Sequence, residues 1–170
     1  MQTQYVISDP IPLLDNLSFR IFLPSHFVLE EVKWIKNMIT DDELLPGVKE
    51  FLIDAREKGH KIALGSASKN ARLILERLDL VRFFDAIVDG NLVAKAKPDP
   101  EVFVMGAEML GKKPAECIVF EDSDAGIEAA HAGNMKAVGI GTASYLAEAD
   151  ICLKNLKENS IDDIIRRLWF

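Results

Sequence analysis

No run of apolar residues in this chain approaches the roughly 20 that a membrane-spanning helix needs, so the sequence predicts no membrane partner. Long basic runs are missing as well, and the formal net charge is −7. A polyanion would be repelled by such a surface, which argues against nucleic acid as a partner. Cysteine is scarce: Cys117 and Cys152 stand in apolar runs, with no CxxC and no Cys/His cluster. That excludes a zinc site or a disulfide framework and reads as two small core residues. The first cation is Arg20, so the start has neither the basic end nor the apolar core of a secretory leader. Together these absences point to a cytoplasmic protein. The three histidines, His26, His60 and His131, have no partner at ligand spacing and receive no catalytic role. Neither Gly-x-Gly-x-x-Gly nor a Walker loop occurs, which weighs against a nucleotide-binding domain.

What the chain does have is core. Its 170 residues are 49% hydrophobic, enough for one domain to bury a sizeable interior. From residue 46 onward the pattern is regular. Pro46-Gly47 opens a helix with Val48, Phe51, Leu52 and Ala55 on one face, ended by Gly59. A strand at 61–65 follows, then a helix at about 69–78 with Leu73, Ile74 and Leu78 inward, then a short strand at 84–88. Asp99-Pro100 reads as a cap and first turn for a helix that buries Phe103, Ala107 and Leu110. A strand at 117–120, a helix at about 125–132, a strand at 136–140, a short strand near 150–153 and a helix from Ser160 complete the series. Ser160 with Asp163 resembles a capping box. Alternating strands and helices, with several strands apolar throughout, predict an α/β fold: a Rossmann-like, doubly wound parallel sheet with helices on both faces. Residues 46–170 form this core domain. Residues 1–45 are a separate, proline-interrupted segment with an amphipathic helix at about 28–39.

Ligands in such folds bind where strands end, and three strand ends carry suitable chemistry. The strand from 61 runs into Gly65-Ser66-Ala67-Ser68-Lys69-Asn70, with hydroxyls, backbone N–H groups and an ammonium suited to phosphate. Lys97 precedes Pro98-Asp99-Pro100 and is fixed next to a helix start, where it can balance phosphate charge. Glu121-Asp122 end an apolar strand, and carboxylates there suit Mg²⁺. Each feature has a plainer reading: Ser66 as a helix cap, Lys97 as a solvated loop cation, Asp122 or Asp124 as a cap. Convergence of all three on one sheet edge favours a phosphate-and-metal site.

These segments resemble the haloacid dehalogenase superfamily and, within it, the β-phosphoglucomutases. The resemblance covers about residues 44–168 and is carried by Leu45-Pro46-Gly47-Val48, Ile62–Asn70, Lys97–Pro100 and Phe120–Ile127. It implies that Ser66 and Ala67 bind the transferred phosphoryl group and that Lys97 stabilises it. Ser68, Lys69 and Asn70 would grip the distal phosphate of a sugar. Glu121 and Asp122 would hold Mg²⁺, Asp122 more directly. The implied chemistry moves phosphate between C1 and C6 of glucose through a phosphoaspartate. A sugar phosphatase, or a non-catalytic remnant that binds phosphate or a partner, is the alternative.

The family's first motif, an apolar strand followed by Asp-x-Asp-Gly, is not found. Its nearest counterpart is Tyr5-Val6-Ile7-Ser8-Asp9-Pro10-Ile11, which offers Asp9 as a nucleophile and isoleucine two places on. The chain therefore reads as truncated at its N-terminus, with most of the cap domain missing, the helix at 28–39 as its remnant and activity impaired. In this fold the first strand is central. Its loss predicts a gap between the strands that carry Ser66 and Asp122, with costly unpaired backbone groups. Tyr5–Ile7, Phe19–Leu23, or a second chain in a strand-exchanged homodimer are the candidates to fill it.

Overall fold

The computed structural model describes residues 4–8, 44, 46–141, 146, 148–157 and 159–170, with residues 4–8 as backbone. The expected helix at 28–39, the strand candidate Phe19–Leu23 and Asp9 lie outside the described residues. In chain order the elements are β1 (Gln4–Ser8), α1 (Val48–Glu57), β2 (Ile62–Gly65), α2 (Ala71–Arg77), β3 (Ala86–Val88), α3 (Glu101–Met109), β4 (Cys117–Glu121), α4 (Asp124–Ala132), β5 (Lys136–Ile140), β6 (Ile151–Leu153) and α5 (Ile161–Trp169). The strands form one sheet in the order β3-β2-β1-β4-β5-β6. All its pairings are parallel. This is the doubly wound arrangement expected.

The central position is filled from within the chain, by the first of the expected candidates. β1 occupies the centre, pairing Tyr5 to Ser8 with Ile62 to Gly65 on one side and Gln4 to Ile7 with Cys117 to Phe120 on the other. The segment around Tyr5–Ile7 thus supplies the backbone partners that β2 and β4 require. No second chain is needed for this.

Alternation along the strands sorts the core into two layers. On one face Ile62, Leu64, Ile118, Phe120, Val138 and Ile140 pack with the apolar sides of α1, α2 and α5. On the other face the sheet presents smaller residues, Ala63, Ala86, Val88, Cys117, Val119 and Ala137, beneath α3 and α4. Large residues fill the first layer, and small ones let the helices of the second approach closely. The predicted inner face of α1, Val48, Phe51, Leu52 and Ala55, is buried throughout. In the second helix the buried set is Ala71, Ile74 and Leu75 with Leu78 just beyond, while Leu73 is only partly covered. Cys117 is fully buried, as read; Cys152 is only half-buried.

Two helix starts differ from expectation. Ser123, rather than Asp122 or Asp124, caps α4, its hydroxyl accepting from Gly126 N. Pro100, rather than Asp99, holds the cap position of α3, and Asp99 Oδ1 instead accepts from Glu101 N at 3.0 Å. The Ser160 cap is as read: its hydroxyl accepts from Asp163 N and donates to Asp163 Oδ2.

His131 does have a partner, 19 residues away. Its Nε2 lies 3.0 Å from Asp150 Oδ2, and the same carboxylate takes Lys136 Nζ at 2.7 Å and Ala137 N at 2.8 Å. Burial opposes ionisation of Asp150, but the Ala137 N–H, the Lys136 ammonium and the His131 ring hold its carboxyl below the usual range. A depressed folded pKa stabilises the protein above the unfolded value of about 3.9, and the benefit fades as pH falls through the folded one. Asp150→Asn should therefore lower stability at neutral pH and flatten its dependence on pH below about 4. Urea melts at pH 3 and pH 7 would show this; an unchanged pH slope would exclude the role.

Candidate active site

At the switch point of a doubly wound sheet the loops after neighbouring strands diverge and leave a crevice. Here that point lies between β1 and β4. Register sets the levels: Ser8 is opposite Gly65, and Ile7 is opposite Phe120. The next residues in sequence after β1, β2 and β4 are Asp9, Ser66 and Asp122.

Ser66 is completely buried. Its N–H donates to Val88 O at 2.9 Å, which binds the loop to β3. Its hydroxyl accepts from Ser68 N at 3.0 Å, so its own proton remains to donate. The Ser68 hydroxyl in turn accepts from Asn70 N at 3.1 Å. Ser66 is therefore not the cap of α2: that position belongs to Asn70. The two serines fold a compact turn whose first hydroxyl sits at the strand end. Ala67 and Lys69 are exposed, and Ser68 and Asn70 are half-buried.

Lys97 is no solvated loop cation. Its side chain is 8% exposed and its Nζ lies 2.9 Å from Glu121 Oε2, on a side chain with no exposure at all. The ammonium also sits 5.4 Å from the centre of the Phe103 ring, a favourable cation–π placement. Phe103 is carried by α3 and packs against Gly65, where a Cβ would come within 2.9 Å of the ring. The loop before α3 is fixed from below: Glu101 Oε2 accepts from Ala94 N and Lys95 N at 3.0 and 2.7 Å. The Lys97-Pro98 peptide is cis.

Glu121 is held at every side. Oε1 accepts from Asp122 N, Ser123 N and the Ser123 hydroxyl at 3.1, 3.2 and 2.9 Å. Oε2 accepts from Lys97. Asp122 follows it at the strand end with a buried Oδ1. A hard cation such as Mg²⁺ takes one or two carboxylates, with water and phosphate oxygens completing the shell. Asp122 fits that demand. Glu121 is committed to protein donors. Among the described residues no group of three or more His, Cys, Asp or Glu side chains forms a metal cluster, and no helix is long and apolar enough to cross a membrane.

The structure thus brings together Ser66, Lys97, Glu121 and Asp122 on one sheet edge, with Ala67 to Asn70 beside them. Two contributors were not signalled as such by the sequence. Ser123 both caps α4 and ligates Glu121, and Gly126 leaves the space that Glu121 fills. Serine's preference for the cap position was the available sign for the first.

The sequence model of the haloacid dehalogenase-like hydrolases matches residues 14–134. The β-phosphoglucomutase of Bacillus subtilis is 39% identical over 133 residues, 78% of this chain and 58% of that protein. The fructose-1-phosphate phosphatase YqaB of Escherichia coli is 35% identical over 123 residues, 69% of this chain and 63% of that protein. These alignments thus span about six-tenths of the relatives' own length. The crystal structure of β-phosphoglucomutase from Clostridium difficile superposes with a TM-score of 0.84 at 26% identity, covering 99% of this chain and 97% of that one. With this fold and these matches, the chain belongs to the haloacid dehalogenase-like hydrolase family.

Proposed function

We propose that the crevice at the ends of β1, β2 and β4 is a Mg²⁺-dependent phosphoryl-transfer site of β-phosphoglucomutase type, taking a phosphorylated sugar. The buried Lys97–Glu121 pair at the end of β4, on the same sheet edge as the buried Ser66 at the end of β2, carries this reading. The relatives named for sugar phosphates support the substrate class. Ser66 Oγ and Ala67 N would receive the oxygens of the transferring phosphoryl group. Lys97 would balance its charge as the transition state develops. Asp122 would hold Mg²⁺, which supplies electrostatic stabilisation of the phosphoryl oxygens when bound. Glu121 acts through Lys97. Ser68, Lys69 and Asn70 would grip the sugar's second phosphate.

Asp9 is the candidate nucleophile because it follows Ser8, the residue paired with Gly65 at the end of the central strand. In the transfer a carboxylate oxygen bonds to phosphorus, the bond to the leaving oxygen breaks, and that oxygen must then be protonated. A positioned acid contributes on the order of 10²–10⁴ in rate. Ile11, two places beyond Asp9, brings no proton. A sugar hydroxyl leaves poorly without one, whereas an acyl phosphate departs as a stable carboxylate. The chain is thus expected to accept phosphate from acetyl phosphate and to show little or no conversion of glucose 1-phosphate to glucose 6-phosphate.

Intact mass after incubation with acetyl phosphate and Mg²⁺ tests this. One alkali-labile phosphoryl adduct is expected in the parent chain, none in Asp9→Asn, and loss of the Mg²⁺ dependence in Asp122→Ala. A folded parent chain that gains no adduct would leave a phosphate-binding scaffold without covalent chemistry.

A further inference from the structure

The loop that would grip the distal phosphate does not stand alone. Strands β2 and β3 run side by side, Gly65 opposite Val88, and the turn after β3 leans onto the loop after β2. Asp89 Oδ1 accepts from Asn91 N at 2.9 Å, which closes a local turn. From that turn Gly90 N donates to Ser68 O at 3.1 Å. The Asn91 side-chain amide donates to Lys69 O, also at 3.1 Å. Gly90 lies so close that a Cβ there would come within 2.1 Å of Ala67 O and 3.1 Å of Lys69 N. Three successive residues of the loop, Ala67, Ser68 and Lys69, are therefore touched by two residues of the turn.

This contact has a directional consequence. The C=O and N–H of one trans peptide point opposite ways. Drawing the Ser68 carbonyl onto Gly90 N turns the Lys69 N–H away from the turn. The next N–H, of Asn70, is already spent on the Ser68 hydroxyl. The turn thus decides which donor of the loop is offered outward, and where the exposed Lys69 side chain starts.

We propose that Gly90 and Asn91 are positioning residues for the second-phosphate grip of Ser68, Lys69 and Asn70, setting specificity for a sugar phosphate over a small phosphate donor. This rests on the phosphoryl-transfer reading above. Acetyl phosphate has no distal phosphate and meets only Ser66, Ala67 and Lys97, so the two ligands separate the roles.

The test measures two quantities on each folded variant: the dissociation constant of glucose 6-phosphate by calorimetry with Mg²⁺, and the rate of phosphoryl labelling by acetyl phosphate. Asn91→Ala and its isosteric partner Asn91→Asp should each weaken sugar phosphate binding about three- to tenfold, the worth of one hydrogen bond. Their labelling rates should stay within about twofold. Gly90→Ala should weaken binding more than either, and should slow labelling too because its methyl meets Ala67 O, so the Asn91 variants are the ones that separate the two roles. If Lys69→Ala weakens binding while the Asn91 and Gly90 variants bind as the parent does, the proposal is wrong and the site reading stands. Equal losses in binding and labelling in the Asn91 variants would show the turn to be scaffold only and overturn it too. A parent chain that binds no glucose 6-phosphate would bring down both together.

Discussion

Replacing Glu121 with alanine should cost the fold about 3–5 kcal/mol, the usual penalty for breaking a buried ion pair from one side. The pair is 2.9 Å long with almost no exposure on either side chain, so water cannot take Glu121's place without rearrangement. Three more donors lose their acceptor at once: Asp122 N, Ser123 N and the Ser123 hydroxyl. The Ser123 hydroxyl also caps α4, so the helix start loosens with it. Glu121→Gln keeps an acceptor for those donors and removes the charge, and should cost less. The double variant Lys97→Met/Glu121→Gln should recover most of the loss, because no buried charge is left stranded. Urea midpoints at constant m-value measure all of these. A Glu121→Ala chain that loses less than about 1 kcal/mol would mean that Lys97 is not held by this carboxylate. Lys97 released from Glu121 should also support phosphoryl labelling more slowly, since its ammonium would no longer be fixed at the sheet edge.

Much of this site was legible because it depends on strand ends. An apolar run that stops at a polar, small-residue loop marks the edge of a parallel sheet, and Ser66 and Glu121-Asp122 follow that rule, whereas Lys97 was marked by the Pro98-Asp99-Pro100 helix start. Less legible was everything set by contacts between distant segments. Tyr5-Val6-Ile7 is so short an apolar run that it stood only as one of several candidates for the central strand. Its place is fixed by pairing with Ile62–Gly65 and Cys117–Phe120, more than 50 residues away in sequence. The His131–Asp150 contact joins two elements that no spacing rule connects. The resemblance favoured Asp122 over Glu121 for a cation, but what holds Glu121 was not legible. Burial and four donated hydrogen bonds commit Glu121 to the protein.

Gly126→Ala should be strongly destabilising. An added Cβ would lie 1.9 Å from both Cδ and Oε2 of Glu121 and 2.2 Å from its Cγ. Gly126 is in the first turn of α4, and its φ is ordinary, so space alone makes the demand. Such a clash is cheap when the neighbour is the loose end of a surface side chain. Glu121 is nothing of the kind: its oxygens are tied to Lys97, Ser123 and the backbone of Asp122. Either the carboxylate leaves its partners, or α4 shifts on β4. Overpacking costs about 1–3 kcal/mol, and a disturbed buried pair adds to it, so a loss of roughly 2–4 kcal/mol is expected. Shortening the glutamate separates the two causes. Glu121→Asp alone withdraws the carboxylate by one methylene and should weaken the Lys97 contact. Combined with Gly126→Ala, it makes room for the new methyl, so the double variant should be more stable than the sum of the single losses. A positive coupling of about 1 kcal/mol or more in that cycle would place the clash at Glu121. Strict additivity would place it elsewhere and detach Gly126 from the lysine's support.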